Sequence, residues 1–207
     1  MRDEFIGSIK SNQNTFGVHL SDDVVGRLAD YYELVQEHNP ILHLVGPSSP
    51  EDFATRHILE SLTLLEFLPP GARFADIGPG AGLPSIPCLI ARDDLHATLI
   101  ESKEKKVVFL RAAVTKLGLD DRTHIVDRQF AEAKSIDVSY VTCRALDKFT
   151  QKLPQLLKWS NKSTRLLFGS KALGDELRKY GLSLKERLMP LSEQRFLFIA
   201  QPSRKTL

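Results

Sequence analysis

Gly78, Gly80 and Gly82 stand at alternate positions in the stretch FADIGPGAGLPSIP, residues 74–87, just after the acidic residue Asp76. Glycine reaches backbone angles closed to other residues and lets a ligand approach the main chain. The run RFADI leads into these glycines and reads as a strand, so the turn falls at a strand's carboxyl end, where open parallel sheets bind ligands. The next strand-like run, HATLIES, carries Glu101 near its end, 19 residues after Gly82. A carboxylate there accepts two hydrogen bonds from a ribose diol. Together the turn and the acid predict a nucleoside-cofactor site. Asp76 is placed either to meet the cofactor's amino-acid part or to cap the turn.

NAD and S-adenosylmethionine both carry that ribose. The spacing is GxGxG, with Leu83 where the dinucleotide fingerprint GxGxxG needs its last glycine, and the next helix is expected to begin near Leu83-Pro84. No GK[ST] follows, which argues against a P-loop. The imperfect fingerprint, together with an antiparallel last strand, favours S-adenosylmethionine.

The surrounding elements must hold this turn. The first 70 residues read as helical. SDDVVGRLADYYELVQEHN opens on Ser21 as a cap with two aspartates behind it, and Pro40 is expected to end that helix. SPEDFATRHILESLTLLEFL opens on Ser49 with Pro50 at the first helical position. The stop PPG, residues 69–71, separates an expected helical N-terminal extension, 1–70, from an α/β domain, 71–207. In the second part RFADI, HATLIES, HIVDR, VSYVTCR, RLLFGS, LSLKERLMPL and QRFLFIAQ alternate with helix-like runs until the last pair. That order predicts a mostly parallel sheet with helices on both faces. The last two strands, joined by the short SE, are expected to form a hairpin.

Charge is uneven. Residues 1–70 hold 4 Lys/Arg against 11 Asp/Glu, a net of −7, and residues 71–207 hold 24 against 15, a net of +9. A basic second part is the footprint of a polyanionic partner. Cys88 and Cys143 form no CxxC pair and read as buried thiols, with no metal site. No run approaches the roughly 18–20 apolar residues of a membrane span, and the N-terminus shows no signal segment, so a cytoplasmic protein without membrane attachment is expected.

Several blocks in order resemble the bacterial small-subunit ribosomal RNA methyltransferase G family, formerly called glucose-inhibited division protein B. RHILESL (56–62) is similar to the family's RHxLDSL, FADIGPGAGLPSIP to its DxGxGxGxPGIP, and LIESKEKKVVFLR (99–111) to its strand-end acid, paired basic residues and FLR. CRAL (143–146) is similar to its SRA block, and SK (170–171) falls at its KG. The chain departs from the pattern at Glu60 for aspartate, Ser85 and Ala172 for glycines, and Phe130 for a common glutamate.

The resemblance implies a Rossmann-like methyltransferase fold with a seven-stranded sheet, and a monomer is expected. It implies methyl transfer from S-adenosylmethionine to N7 of one guanine in 16S rRNA, free or in the small ribosomal subunit. Carried over, Gly78 and Leu83 line the cofactor and the main chain at Gln129–Phe130 brackets its adenine. Arg144 lies at the mouth, touching cofactor and target, with Lys171 beside it. Lys171 and the basic run Lys103, Lys105 and Lys106 would meet the RNA or the site edge. Arg56 and His57, early in their helix, either fold over the substrate site or stack against the sheet domain. Two other functions compete: an RNA- or ribosome-binding protein that kept the fold without catalysis, and an NAD-linked oxidoreductase.

Overall fold

A computed structural model of the chain describes residues 1–133, 136–144 and 149–202. The first part is helical: α1 (Arg2–Asn12), α2 (Asp22–Leu42) and a composite run, α3. The run begins as α-helix at Pro50–Asp52, becomes π-helical over Phe53–Leu59, returns to α at Glu60–Leu62 and ends as a 3-10 helix over Thr63–Phe67. Ser21 caps α2 by accepting from the Val24 N–H, and Ser49 caps α3 by accepting from the Asp52 N–H. Pro40 does not end α2, which runs two residues further to a left-handed His43. In the last turn a proline forfeits only its own donor, and the His43 N–H still reaches the Asn39 carbonyl at 2.9 Å.

Then follow β1 (Arg73–Ile77), α4 (Ser85–Ala91), β2 (His96–Ile100), α5 (Glu104–Lys116), β3 (Thr123–Val126), β4 (Tyr140–Arg144), α6 (Phe149–Trp159), β5 (Thr164–Gly169), α7 (Lys171–Arg178), β6 (Ser183–Leu188) and β7 (Phe196–Gln201). The strands form one seven-stranded sheet in the order β3-β2-β1-β4-β5-β7-β6. The strands β1 to β5 pair in parallel, and β7 runs antiparallel to both β5 and β6. The expected hairpin is present, but its loop spans 189–195 rather than SE alone, closed by the Met189 N–H on the Arg195 carbonyl at 2.8 Å. Strand order reverses between β1 and β4, and at such a switch point a crevice opens beyond the strands' carboxyl ends.

Two buried clusters flank the sheet. On one side Phe5, Tyr31 and Phe53 from the helical part join Phe74, Ile86 and Phe109 in one core. On the other, Ala75 and Ile77 pack with Cys143, Leu156, Leu167 and Phe198. The alternation of Phe74 with Ala75 along β1 follows from the two-residue period of a strand. Cys88 and Cys143 are free and buried, as expected. Among the described residues, no helix is long and apolar enough to cross a membrane. Ala145 and Leu146 of the CRAL block, and residues 203–207 at the end of the expected second domain, lie outside the described residues.

Candidate functional site

The glycine turn begins where β1 stops. The Gly78 N–H bonds the Ile100 carbonyl at 2.9 Å, carrying the β1–β2 ladder one residue further. Gly78, Gly80 and Gly82 hold φ of 68°, 60° and 95°, which favours glycine at each. Gly82 is also required by packing, since a Cβ there would lie 2.3 Å from Ile86 Cδ1. The helical part reaches this turn directly: the buried Tyr31 hydroxyl of α2 donates to the Ala81 carbonyl at 2.9 Å.

Glu101, one residue beyond β2, is buried and clasps the turn. Its Oε2 accepts from the Gly80 N–H at 3.1 Å, and its Oε1 accepts from the Ser102 and Lys103 N–H groups, both at 2.9 Å. A carboxylate has about four lone-pair positions. Three are filled from the main chain, which leaves one acceptor position open, on Oε2. Beside Glu101 opens a cavity of about 230 Å³ whose walls include Gly78, Lys103, Lys106, Gln129 and Phe130. Phe130 is held edge-on to Trp159, with ring centroids 6.5 Å apart.

Asp76 lies below this turn with no exposed surface. The Ser85 hydroxyl donates to its Oδ2 at 2.5 Å, while Oδ1 has no partner. Burial pushes this carboxyl up to about 8, opposed by the hydrogen bonds from Ser85; Glu101 adds to the rise and Arg144 opposes it. Once ionised, an orphaned carboxylate oxygen near a glycine turn fits a ligand that brings a donor, such as an ammonium group. It also has a consequence for the ligand-free protein. The folded-state pKa lies above the unfolded value of 3.8, so the native state keeps a proton that the unfolded chain has lost. That contribution to stability is full below about pH 4 and is lost as pH rises through about 8, with a slope of up to about 1.4 kcal/mol per pH unit. Urea unfolding should therefore show wild type weakening between pH 6 and 8.5 more than Asp76→Asn does. Equal weakening would contradict the assignment.

A second constellation lies across the sheet edge. Arg144, last residue of β4, bonds the Arg56 carbonyl at 2.5 Å, Ser61 Oγ at 3.3 Å and Glu60 Oε2 at 3.3 Å, and its guanidinium sits 5.4 Å from the centre of the Phe168 ring. Glu60, 2% exposed, also takes Arg195 Nε at 2.7 Å. The π-helical turn belongs to this arrangement: the Glu60 N–H bonds the Thr55 carbonyl, five residues back, and the Arg56 carbonyl turns to Arg144. His57 stacks edge-on to Phe53 at 5.1 Å, and burial with Arg144, Arg56 and Arg195 nearby pushes its imidazole down to about 3.

The expected site residues thus fall into groups. Gly78, Glu101, Lys103, Lys106, Gln129 and Phe130 share one cavity, and Gly80 is tied to it through Glu101, while Asp76 is buried and is not part of its walls. Leu83 and Gly82 pack in the core instead of lining that cavity. Lys105 is exposed outside it, and Lys171 is exposed at the start of α7, beside the β4 edge. Arg56 is exposed and pairs with Asp52 at 3.8 Å. Arg144 is a clamp between α3 and the sheet. Sequence reasoning missed Arg128 and Lys152, which also line the cavity, together with Arg195 and Tyr31.

Relatives extend this picture. A ribosomal RNA small subunit methyltransferase G of Sorangium cellulosum is 34% identical over 88% of this chain and 77% of its own length. One of the same name from Pelotomaculum thermopropionicum is 38% identical over 55% of this chain and 48% of its own, so there the chain spans about half the relative's length. Among solved structures, M. jannaschii TYW2 in complex with AdoMet superposes with a TM-score of 0.54 at 13% identity, covering 70% of this chain and 74% of that one, a likeness of fold. The family model described as rRNA small subunit methyltransferase G matches residues 25–184, from α2 into β6, and so takes in the glycine turn, Glu60 and Arg144. The chain belongs to the rRNA small subunit methyltransferase G (GidB) family.

Proposed function

We propose that this protein is an S-adenosylmethionine-dependent methyltransferase that modifies N7 of a guanine in 16S rRNA. The observation that carries the reading is the cavity at the carboxyl ends of β1 and β2, where a positive-φ glycine turn is clasped by Glu101. Glu101 Oε2 would take one ribose hydroxyl, the main chain at Gln129–Phe130 the adenine edge, and Asp76 Oδ1 the amino group. When bound, the cofactor supplies an electrophilic methyl group, which guanine N7 accepts through a free lone pair, so that no proton has to leave first. Arg144, Glu60 and Arg195 keep α3 fixed against the sheet edge where the target would enter, and Lys171 stands beside that edge for a phosphate or base. The reading takes the small-subunit RNA, free or assembled, as partner, and a cytoplasmic monomer as the working form.

A base is not required, and the structure offers a poor one. His57, pushed down to about 3, stays neutral and unprotonated above pH 6. Asp76 titrates near 8 in the free protein, and its ionisation affects cofactor affinity, which saturating cofactor removes from the observed rate. Single-turnover methylation at saturation should therefore be nearly flat from about pH 6 to 9, the range in which a His or Lys base would titrate. A steep limb that disappears in His57→Gln would point to a proton transfer and a different target atom.

A further inference from the structure

The cavity has the wrong charge for the cofactor by itself. Lys103, Lys106, Arg128 and Lys152 line it, against one acid on its described walls, Glu101, whose carboxylate already holds three main-chain N–H groups; Asp76 is buried off those walls and offsets one cation at most. Among the described residues, none of the four cations pairs with a carboxylate. Lys106 presses on the glycine turn, its Nζ 3.4 Å from where a Cβ on Gly80 would stand. S-adenosylmethionine carries a sulfonium, an ammonium and a carboxylate, a net charge of +1. A site this small lies within the screening length of about 10 Å at 0.1 M salt, so each cation on its wall opposes a cationic ligand.

We propose that this basic rim is the seat of an RNA phosphodiester stretch, and that RNA laid across it raises the affinity for S-adenosylmethionine. The proposal rests on the reading of the cavity as the cofactor site. In the free protein the four cations hold cofactor affinity down. Phosphates neutralise them, release counterions and remove the repulsion. Binding linkage is reciprocal, so the cofactor strengthens RNA binding by the same factor. The sulfonium is the charge that matters: the demethylated product, S-adenosylhomocysteine, has neutral sulfur and no net charge, so its affinity responds less. RNA would then favour the loaded enzyme and loosen its preference for product.

The test is calorimetry on wild type and on the double variant Lys103→Gln/Lys152→Gln. Lys103 is exposed and Lys152 half-buried on the cavity wall, and the pair leaves Lys106 on the turn. With a 16S rRNA fragment as probe, wild-type affinity for S-adenosylmethionine should rise at least fivefold, at the low end of ordinary coupling, and that for S-adenosylhomocysteine should rise less. Without RNA the double variant should bind S-adenosylmethionine tighter than wild type, bind the RNA fragment more weakly with a shallower salt dependence, and lose most of the coupling. Cofactor binding in wild type that ignores RNA, or a variant that binds S-adenosylmethionine no better, overturns the proposal while leaving the cofactor site standing. Failure of wild type to bind S-adenosylmethionine at all, with or without RNA, overturns the cofactor reading and this proposal with it.

Discussion

Glu101→Ala is expected to weaken S-adenosylmethionine binding by well over tenfold. The carboxylate holds the Gly80, Ser102 and Lys103 N–H groups and retains one open acceptor position. Hydrogen bonds to a charged group contribute about 1.5–3 kcal/mol each. Loss of one such bond to ribose already exceeds the 1.4 kcal/mol of a tenfold change. Release of the Gly80 N–H adds to it, because the turn then has to be ordered by the ligand. Glu101→Gln keeps the shape and one carbonyl oxygen but exchanges the other acceptor for a donor, so it should lie between wild type and Ala. Calorimetry gives the affinities, and hydrogen exchange at Gly80 reports the turn. An unchanged affinity in Glu101→Ala would remove the ribose assignment, whatever the exchange rate shows.

The second large effect concerns stability. Glu60 is the only carboxylate in contact with both Arg144 and Arg195 among the described residues, and it is 2% exposed. Removing one partner of a buried pair leaves the other charge uncompensated, at about 3–5 kcal/mol. In Glu60→Ala, Arg144 keeps its bonds to Arg56 and Ser61 but faces Arg195 without the anion between them. For a chain of this size roughly 2–4 °C of melting temperature accompanies each kcal/mol, so Tm should fall by roughly 6–20 °C. Glu60→Asp keeps the charge and should recover part of the loss. Exposed pairs such as Lys179–Glu176 lack this leverage, since solvent screens them. A Glu60→Ala protein melting within 2 °C of wild type would mean that the clamp does not hold α3 to the sheet.

What was legible in the sequence was local. Alternate glycines after a strand announce positive φ wherever the fold goes, and Glu101 is found by counting to the next strand end. Most of the strands were readable because their apolar runs are bounded by turn residues; β6, SLKERL, has only two apolar residues. Pro40 was misread because a proline's effect depends on how much helix remains beyond it. The π-helical turn left no signal, since a ladder reaching back five residues uses the same residue types as one reaching back four. Arg195 stands 135 positions from Glu60 and meets it only because the β6–β7 loop folds over α3. Arg128 and Lys152 come to one cavity wall from the segment after β3 and from α6, a juxtaposition made by packing alone. Asp76 was placed near the turn, but its pairing with Ser85 and its orphaned oxygen required the tertiary structure.

The destination of the methyl group tests the proposed function most directly. Small ribosomal subunits or 16S rRNA from cells lacking the gene are incubated with the purified protein and S-adenosylmethionine carrying an isotopically labelled methyl. The RNA is then digested and its nucleosides are resolved by mass spectrometry. The predicted result is label in 7-methylguanosine at a single position of 16S rRNA, absent when Glu101→Ala replaces wild type. Label on another base atom or on a ribose hydroxyl, or no label from a wild-type protein that binds the cofactor, would contradict it.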